Sequence, residues 1–112
     1  MNYKKLLNLL IKFRKDRDWE KFHSPKNLAI SLSIEANEIL ELFQWSKDNQ
    51  LPKDKKKYLE GELADVYYYL LLIAHDMNID LDKALRKKMK ENEKRYPIER
   101  SKGSSKKYTE IK

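Results

Sequence analysis

The amino-acid sequence predicts an all-α fold, and three observations carry that prediction. Apolar side chains recur at three- and four-residue spacing in four successive stretches, no stretch alternates as a strand would, and serine, proline or aspartate stands where each later helix should begin. A chain of 112 residues makes one core of modest size.

The elements follow in order. Leu6, Leu9, Leu10 and Phe13 lie on one side of a first amphipathic helix over residues 2 to about 17. Residues 18 to 24 read as a link, and Ser24 followed by Pro25 starts the second helix: the serine caps free N–H groups and the proline takes the first helical position. This helix is expected to run to about residue 47, where Asp48-Asn49-Gln50-Leu51-Pro52 breaks it. Pro52 opens a third helix that continues to about Met77 and stops at Asn78. Asp80 is placed to cap a fourth, over about residues 81 to 95, which Tyr96-Pro97 ends. Beyond Pro97 the run Ser101-Lys102-Gly103-Ser104-Ser105-Lys106-Lys107 has no periodicity and reads as a flexible basic tail. The expected organisation is a helical domain over 1–97 and a tail over 98–112.

The third helix carries Val66-Tyr67-Tyr68-Tyr69-Leu70-Leu71-Leu72-Ile73-Ala74, apolar on every side. A helix of that kind is surrounded. Three other short helices cannot cover it, so part of its surface is expected at a subunit interface, and the chain is read as a homo-oligomer. The same run is the longest apolar stretch and is far too short to span a bilayer; residues 1 to 15 lack the apolar centre and small-residue cleavage site of a signal peptide. No cysteine is present, so disulfides and thiolate metal sites are excluded and a cytoplasmic location, with no membrane partner, is expected.

Charge is unevenly spread. Residues 1 to 82 carry 13 basic and 14 acidic side chains and residues 83 to 112 carry 12 and 4, so the whole surplus of the net +7 lies at the C-terminal end. Such an asymmetry suggests an anionic ligand, whether nucleic acid, a membrane surface or nucleotide phosphates.

The chemistry lies in four carboxylates. On a helical wheel Glu35 falls among Leu28, Leu32, Ile39 and Leu42, and Glu62 shares a side with Val66, Tyr69 and Ile73. Glu38 and Asp65 each stand three residues further on, on neighbouring turns of the same sides. An isolated carboxylate on a core face is costly unless paired or metal-bound. Two such helices packed together converge four carboxylates, and oxygen-only ligands suit a hard divalent cation, Mg²⁺ with Mn²⁺ as a substitute, which leaves open positions for substrate phosphates. Water is then the natural attacking group and a carboxylate can serve as base. The competing reading is that Glu-x-x-Glu and Glu-x-x-Asp are ordinary solvated charges. A di-iron carboxylate bundle would need two Glu-x-x-His motifs on core-facing helices, and this chain has one, Glu20-Lys-Phe-His23, in a link.

Longer strings surround these acids: Arg17-Asp18-Trp19-Glu20-Lys21-Phe22-His23-Ser24-Pro25-Lys26-Asn27-Leu28, Glu35-Ala-Asn-Glu38-Ile-Leu-Glu41-Leu-Phe-Gln44-Trp45, Glu62-Leu-Ala-Asp65-Val, and Lys88-Met89-Lys90-Glu91-Asn92-Glu93-Lys94-Arg95-Tyr96-Pro97. Together they resemble the MazG-like nucleotide pyrophosphohydrolases, and most nearly the dCTP pyrophosphatase branch. The resemblance implies a four-helix bundle completed by oligomerisation, as a homodimer or a homotetramer built as a dimer of dimers. It implies Mg²⁺-dependent hydrolysis of a nucleoside triphosphate, dCTP or a modified dCTP among the candidates, between the α- and β-phosphates, giving the monophosphate and pyrophosphate. Matched motif by motif, Glu35, Glu38, Glu62 and Asp65 would hold the metal and form the catalytic set. Trp19, His23, Trp45 and Tyr69 would belong to the base and sugar pocket, and Lys88, Asn92 and Tyr96 would lie near the triphosphate. Each has a plainer reading: Trp19 and Trp45 as packing, His23 as a local hydrogen-bonding residue beside a proline turn, Lys88 as part of a solvated face. Animal members of the branch carry a histidine in the first helix where this chain has Leu9-Leu10-Ile11, which leaves base preference open.

The alternative class is a non-enzymatic helical module that binds nucleic acid through residues 83 to 112, with affinity that falls steeply with salt. A pure binding module has no need of carboxylates on core faces, and acidic clusters repel a phosphate backbone. Nucleic acid is therefore the weaker reading of the partner.

Overall fold

The structure, a computed structural model, describes residues 3 to 46, 50 to 103 and 105. Among them every regular element is helical: α1 (Tyr3–Asp16), α2 (Pro25–Phe43), α3 (Lys56–Asp76), α4 (Leu81–Arg95) and α5 (Ile98–Ser101), with single 3₁₀ turns at Glu20–Phe22 and Lys53–Lys55. The chain folds as two compact units, Met1–Asn78 and Ile79–Lys112, the first holding α1 to α3 and the second α4 and α5.

The helix boundaries have local causes. α1 ends where Asp18 turns left-handed at φ 54, a conformation Asp and Asn tolerate, and the Arg14 carbonyl accepts both Arg17 N–H (3.3 Å) and Trp19 N–H (3.2 Å). The link expected after it is not featureless: Glu20–Phe22 closes a 3₁₀ turn, with Phe22 N–H donating to the Trp19 carbonyl at 2.9 Å. At the start of α2 the Ser24 hydroxyl accepts from Asn27 N–H at 3.1 Å, with Pro25 at the first helical position as the sequence predicts. α2 stops at Phe43, earlier than the expected end near residue 47, which itself lies outside the described residues. The reason is a tightening of the last turn into i→i−3 bonds, Gln44 N–H to Glu41 O and Ser46 N–H to Phe43 O, after which the Ser46 hydroxyl donates to the Gln50 carbonyl at 2.6 Å.

Pro52 leads into a 3₁₀ turn that feeds α3 without interruption, and Asn78, at φ 56, ends that helix. Asp80 caps α4 by accepting from Lys83 N–H at 3.1 Å. The start of the segment expected to be a flexible tail instead forms α5. Pro97 presets the backbone there and its carbonyl accepts from Ser101 N–H at 2.9 Å. The rest of that tail, apart from residues 102, 103 and 105, lies outside the described residues.

In the first unit α2 packs along α3 as a helical hairpin, and α1 adds a smaller contact to α3. The core is small: among the described residues Leu28 from α2 and Leu71, Leu72 and Ala74 from α3 are its fully buried apolar side chains. Large apolar side chains elsewhere on the same two helices remain exposed, among them Ile30, Ile34 and Leu40 on α2 and Leu63, Leu70 and Met77 on α3. Among the described residues one charged side chain is buried, Arg14, whose guanidinium makes two parallel 2.8 Å bonds to both oxygens of Asp76 and so ties the end of α1 to the end of α3. No helix among the described residues is long and apolar enough to cross a membrane.

Candidate metal centre

The α2/α3 hairpin brings the acids together because both motifs sit near the middle of their helices and on the facing sides. Carboxylate oxygens of Glu35, Glu62 and Asp65 all lie within 4.8 Å of one another. Glu38 stands outside that trio yet interacts with both Glu35 and Glu62 through hydrogen bonding once one of the group carries a proton. Glu35, Glu38 and Glu62 are half-buried and Asp65 opens to solvent.

Like charges this close resist joint ionisation. Partial burial first, then hydrogen bonding with Glu38 and Glu62 and the charges of Glu38 and Asp65, push the Glu35 carboxyl up to about 7. Glu62 is also raised, chiefly by its hydrogen bond with Glu38 and next by burial, while hydrogen bonding from Glu35 works in the opposite direction. Two oxygens, Glu35 Oε2 and Glu62 Oε2, are sealed from solvent without a hydrogen-bond partner. Those orphaned acceptors, the short spacing and the all-oxygen donor set fit a hard divalent cation, which would supply the missing positive charge and relieve both penalties.

The aromatic candidates divide into two sets. Trp19, at the head of the 3₁₀ turn, meets Phe13 edge-on at 5.8 Å; Phe13 meets Tyr68 at 6.4 Å, and Tyr68 meets Tyr69 at 5.0 Å. Tyr69 is one turn beyond Asp65 on α3, so this chain of rings leads from Trp19 towards the acids. His23 closes the same turn, half-buried, with Nδ1 sealed and unpartnered. Its pKa is lowered by burial and then by the Arg14 charge, against the pull of Asp76, so the imidazole is neutral at pH 7.

Trp45 belongs to the other end of α2. It is 85% exposed and borders a cavity of about 360 Å³ together with Leu42, Leu51, Pro52 and Lys55. α2 has 19 residues, so about 28 Å of helix axis separates this end from the Trp19 and His23 end.

Lys88, Asn92 and Tyr96 are in the second unit. Lys88 is exposed with its Nζ 3.8 Å from Glu91, and the Asn92 carbonyl accepts from Tyr96 N–H at 2.7 Å to close the end of α4.

The sequence did not single out Arg14, Arg17, Tyr68 or Asp76. Arg17 lies over the Phe13 ring at 3.7 Å and donates to the Phe13 carbonyl at 3.1 Å. A signal for Arg14 does exist in hindsight of the helix: it follows Leu6 and Leu10 at four-residue steps, a cation on an apolar stripe that requires a buried partner.

An all-helical unit that brings the carboxylates of Glu35, Glu62 and Asp65 together from two packed helices, with Glu38 beside them, has by fold and site together an acidic cluster that could hold a metal ion. The chain belongs to the MazG-like family, whose model matches residues 30–111. It is 41% identical over 104 residues to the mouse (Mus musculus) protein dCTP pyrophosphatase 1, an alignment covering 88% of this chain and 61% of that one. The human (Homo sapiens) dCTP pyrophosphatase 1 is 41% identical over 105 residues, covering 88% and 61%. The chain thus spans about three fifths of the length of these curated relatives. Among solved structures it is similar to a pyrophosphatase from Archaeoglobus fulgidus DSM 4304, with a TM-score of 0.77, 40% identity, and coverage of 87% of this chain and 94% of that one.

Proposed function

We propose that this protein is a divalent-metal-dependent nucleotide pyrophosphohydrolase that cleaves a (deoxy)nucleoside triphosphate between its α- and β-phosphates, releasing the monophosphate and pyrophosphate and so clearing unwanted nucleotides. The observation that carries the reading is the cluster Glu35, Glu62 and Asp65, joined by Glu38, with oxygens orphaned inside a helical hairpin. The pyrophosphatase names of its relatives support the same chemistry, and dCTP or a modified dCTP is the first substrate to try.

In this reading Glu35, Glu38, Glu62 and Asp65 would hold Mg²⁺, or Mn²⁺ in its place. The cation, when bound, supplies charge neutralisation for the phosphates and lowers the pKa of the attacking water. The chain's own residues do the rest: a carboxylate of the cluster takes the proton from that water, and Tyr69 with Trp19 and His23 accepts the nucleoside end along the row of rings. By the family resemblance alone, Lys88, Asn92 and Tyr96 of the second unit are the residues assigned to the triphosphate.

Two features support a homodimer or a dimer of dimers. The exposed apolar side chains on α2 and α3 form faces that a second copy would cover. Trp19 and Trp45 flank opposite ends of α2, so one chain does not close both over one base, whereas a second copy running the other way would supply the missing one. A cysteine-free chain with no membrane-crossing helix among its described residues suits the cytoplasm, where the nucleotide pool lies.

The test is incubation with a panel of triphosphates and Mg²⁺, scored for products. Monophosphate and pyrophosphate in equal amounts are expected. Orthophosphate as the first product would contradict the proposed bond cleavage.

A further inference from the structure

The buried Arg14 is the feature the reaction does not yet use. Its guanidinium holds both Asp76 oxygens at 2.8 Å, and its own carbonyl accepts the N–H groups of Arg17 and Trp19 at 3.3 and 3.2 Å. One residue therefore fixes α1 to α3 through its side chain and fixes the start of the Trp19–His23 turn through its backbone. α3 is also the helix that carries Glu62 and Asp65, so the turn and the acids share one frame.

The turn is stitched from other sides too. Phe13, one residue before Arg14, is capped by the Arg17 guanidinium at 3.7 Å and meets the edge of Trp19 at 5.8 Å, while Asn27 Nδ2 donates to the Phe22 carbonyl at 3.2 Å. Two buried polar atoms remain unpartnered in this region, Arg14 Nε and His23 Nδ1. An apolar pair of similar volume would join the two helix ends with equal or better stability. What a bidentate ion pair adds is a fixed orientation: the planar fork has one geometry, and everything hung on the Arg14 backbone takes its place from it.

We propose that Arg14 and Asp76 are a positioning pair for substrate, which sets Trp19 and His23 at the angle and depth at which the nucleoside end of the triphosphate meets them. This rests on the nucleotide pyrophosphohydrolase reading above. Neither residue touches the reacting phosphates; both act through the turn. The groups that face His23 electrostatically are Arg14 from α1 and Asp76 from α3, with opposite effects on its imidazole.

The experiment compares the wild-type protein with Arg14→Met, which removes the fork and keeps the volume, and with Asp76→Asn, which keeps the shape and removes the charge. Steady-state hydrolysis of the preferred triphosphate is measured at saturating Mg²⁺, alongside Mn²⁺ binding and an NMR titration of the His23 ring. The expected result is a KM raised about tenfold in both variants, with kcat within about twofold of wild type and Mn²⁺ affinity unchanged. The His23 titration should move up in Arg14→Met and down in Asp76→Asn, shifts in opposite directions that a general loosening of the fold would not produce. Turnover with an unchanged KM in both variants overturns this proposal alone. Loss of kcat and Mn²⁺ affinity together with an unmoved KM also overturns it, since the pair would then only hold the fold. Absence of turnover in the wild type overturns the parent reading and this one with it. Should Arg14→Met fail to fold, Asp76→Asn carries the same comparison, because the amide still accepts from one arm of the fork.

Discussion

Two groups of charges meet at the same helix, α3, and they are arranged in opposite ways. Near its middle Glu62 and Asp65 face Glu35 and Glu38, four acids with no Lys or Arg paired to them among the described residues. At its end Asp76 faces Arg14 in a bidentate pair. Each environment moves its carboxyls accordingly: Glu62 and Glu35 are raised, whereas hydrogen bonding to Arg14 holds Asp76 below its ordinary value despite some burial. The difference separates two uses of charge. Compensated charge orients and holds, while uncompensated charge in a folded unit is a standing demand for a ligand.

The sharpest way to break the comparison is to remove one acid from the cluster. Glu38→Ala and Asp65→Ala are each expected to lower kcat by about a hundredfold or more, with the protein still folded by circular dichroism. Full activity in either variant removes that residue from the metal set.

At the other end of α3, Arg14→Ala leaves Asp76 without its cation and opens a void. A loss of about 3 kcal/mol is expected in urea unfolding, the low end for a broken buried pair because Asp76 retains some solvent contact. A change below about 1 kcal/mol would place this pair with ordinary surface ion pairs.

The two groups also predict opposite responses to pH in the metal-free protein. Glu35 titrates near 7 when folded and near 4.5 when unfolded, so the native state binds the extra proton between those values. The stability it contributes is full below about 4.5 and is lost as pH rises through about 7. Asp76 is depressed on folding, so its contribution is present above its unfolded value of 3.8 and is lost as pH falls through the lower folded value. Thermal melts without metal should therefore show a Tm that declines from pH 5 to pH 7.5. Glu35→Gln should flatten that decline, and Asp76→Asn should leave it in place while weakening the acid-side loss.

The smallest expected effect is at the helix start that aims Glu35 and Glu38. Ser24→Ala removes the acceptor for Asn27 N–H and should cost about 1 kcal/mol in the same unfolding assay.

What the sequence made legible follows from the range of the interactions. The Ser24-Pro25 start, the Asp80 cap and the stop at Asn78 depend on neighbours within a few residues, and the structure places them as expected. The acids were legible for a different reason: Glu35 and Glu62 interrupt apolar stripes, so their cost is visible before any partner is known. The 3₁₀ turn at Glu20–Phe22 escaped because three residues show no periodicity, and the early end of α2 depended on the tightened bonds around Gln44 and Ser46. The Arg14–Asp76 pair joins residues 62 apart, a distance over which no local pattern carries information.

The most direct test of the central claim, that the four acids are a divalent-metal centre, is an Mn²⁺ titration followed by EPR with simultaneous measurement of proton release. The wild-type protein should bind Mn²⁺ and release close to one proton at pH 6.5, less at pH 8.5 where Glu35 is already ionised, and Glu35→Gln/Glu62→Gln should abolish binding. Equal Mn²⁺ binding by wild type and double variant, with no proton released at either pH, would contradict it.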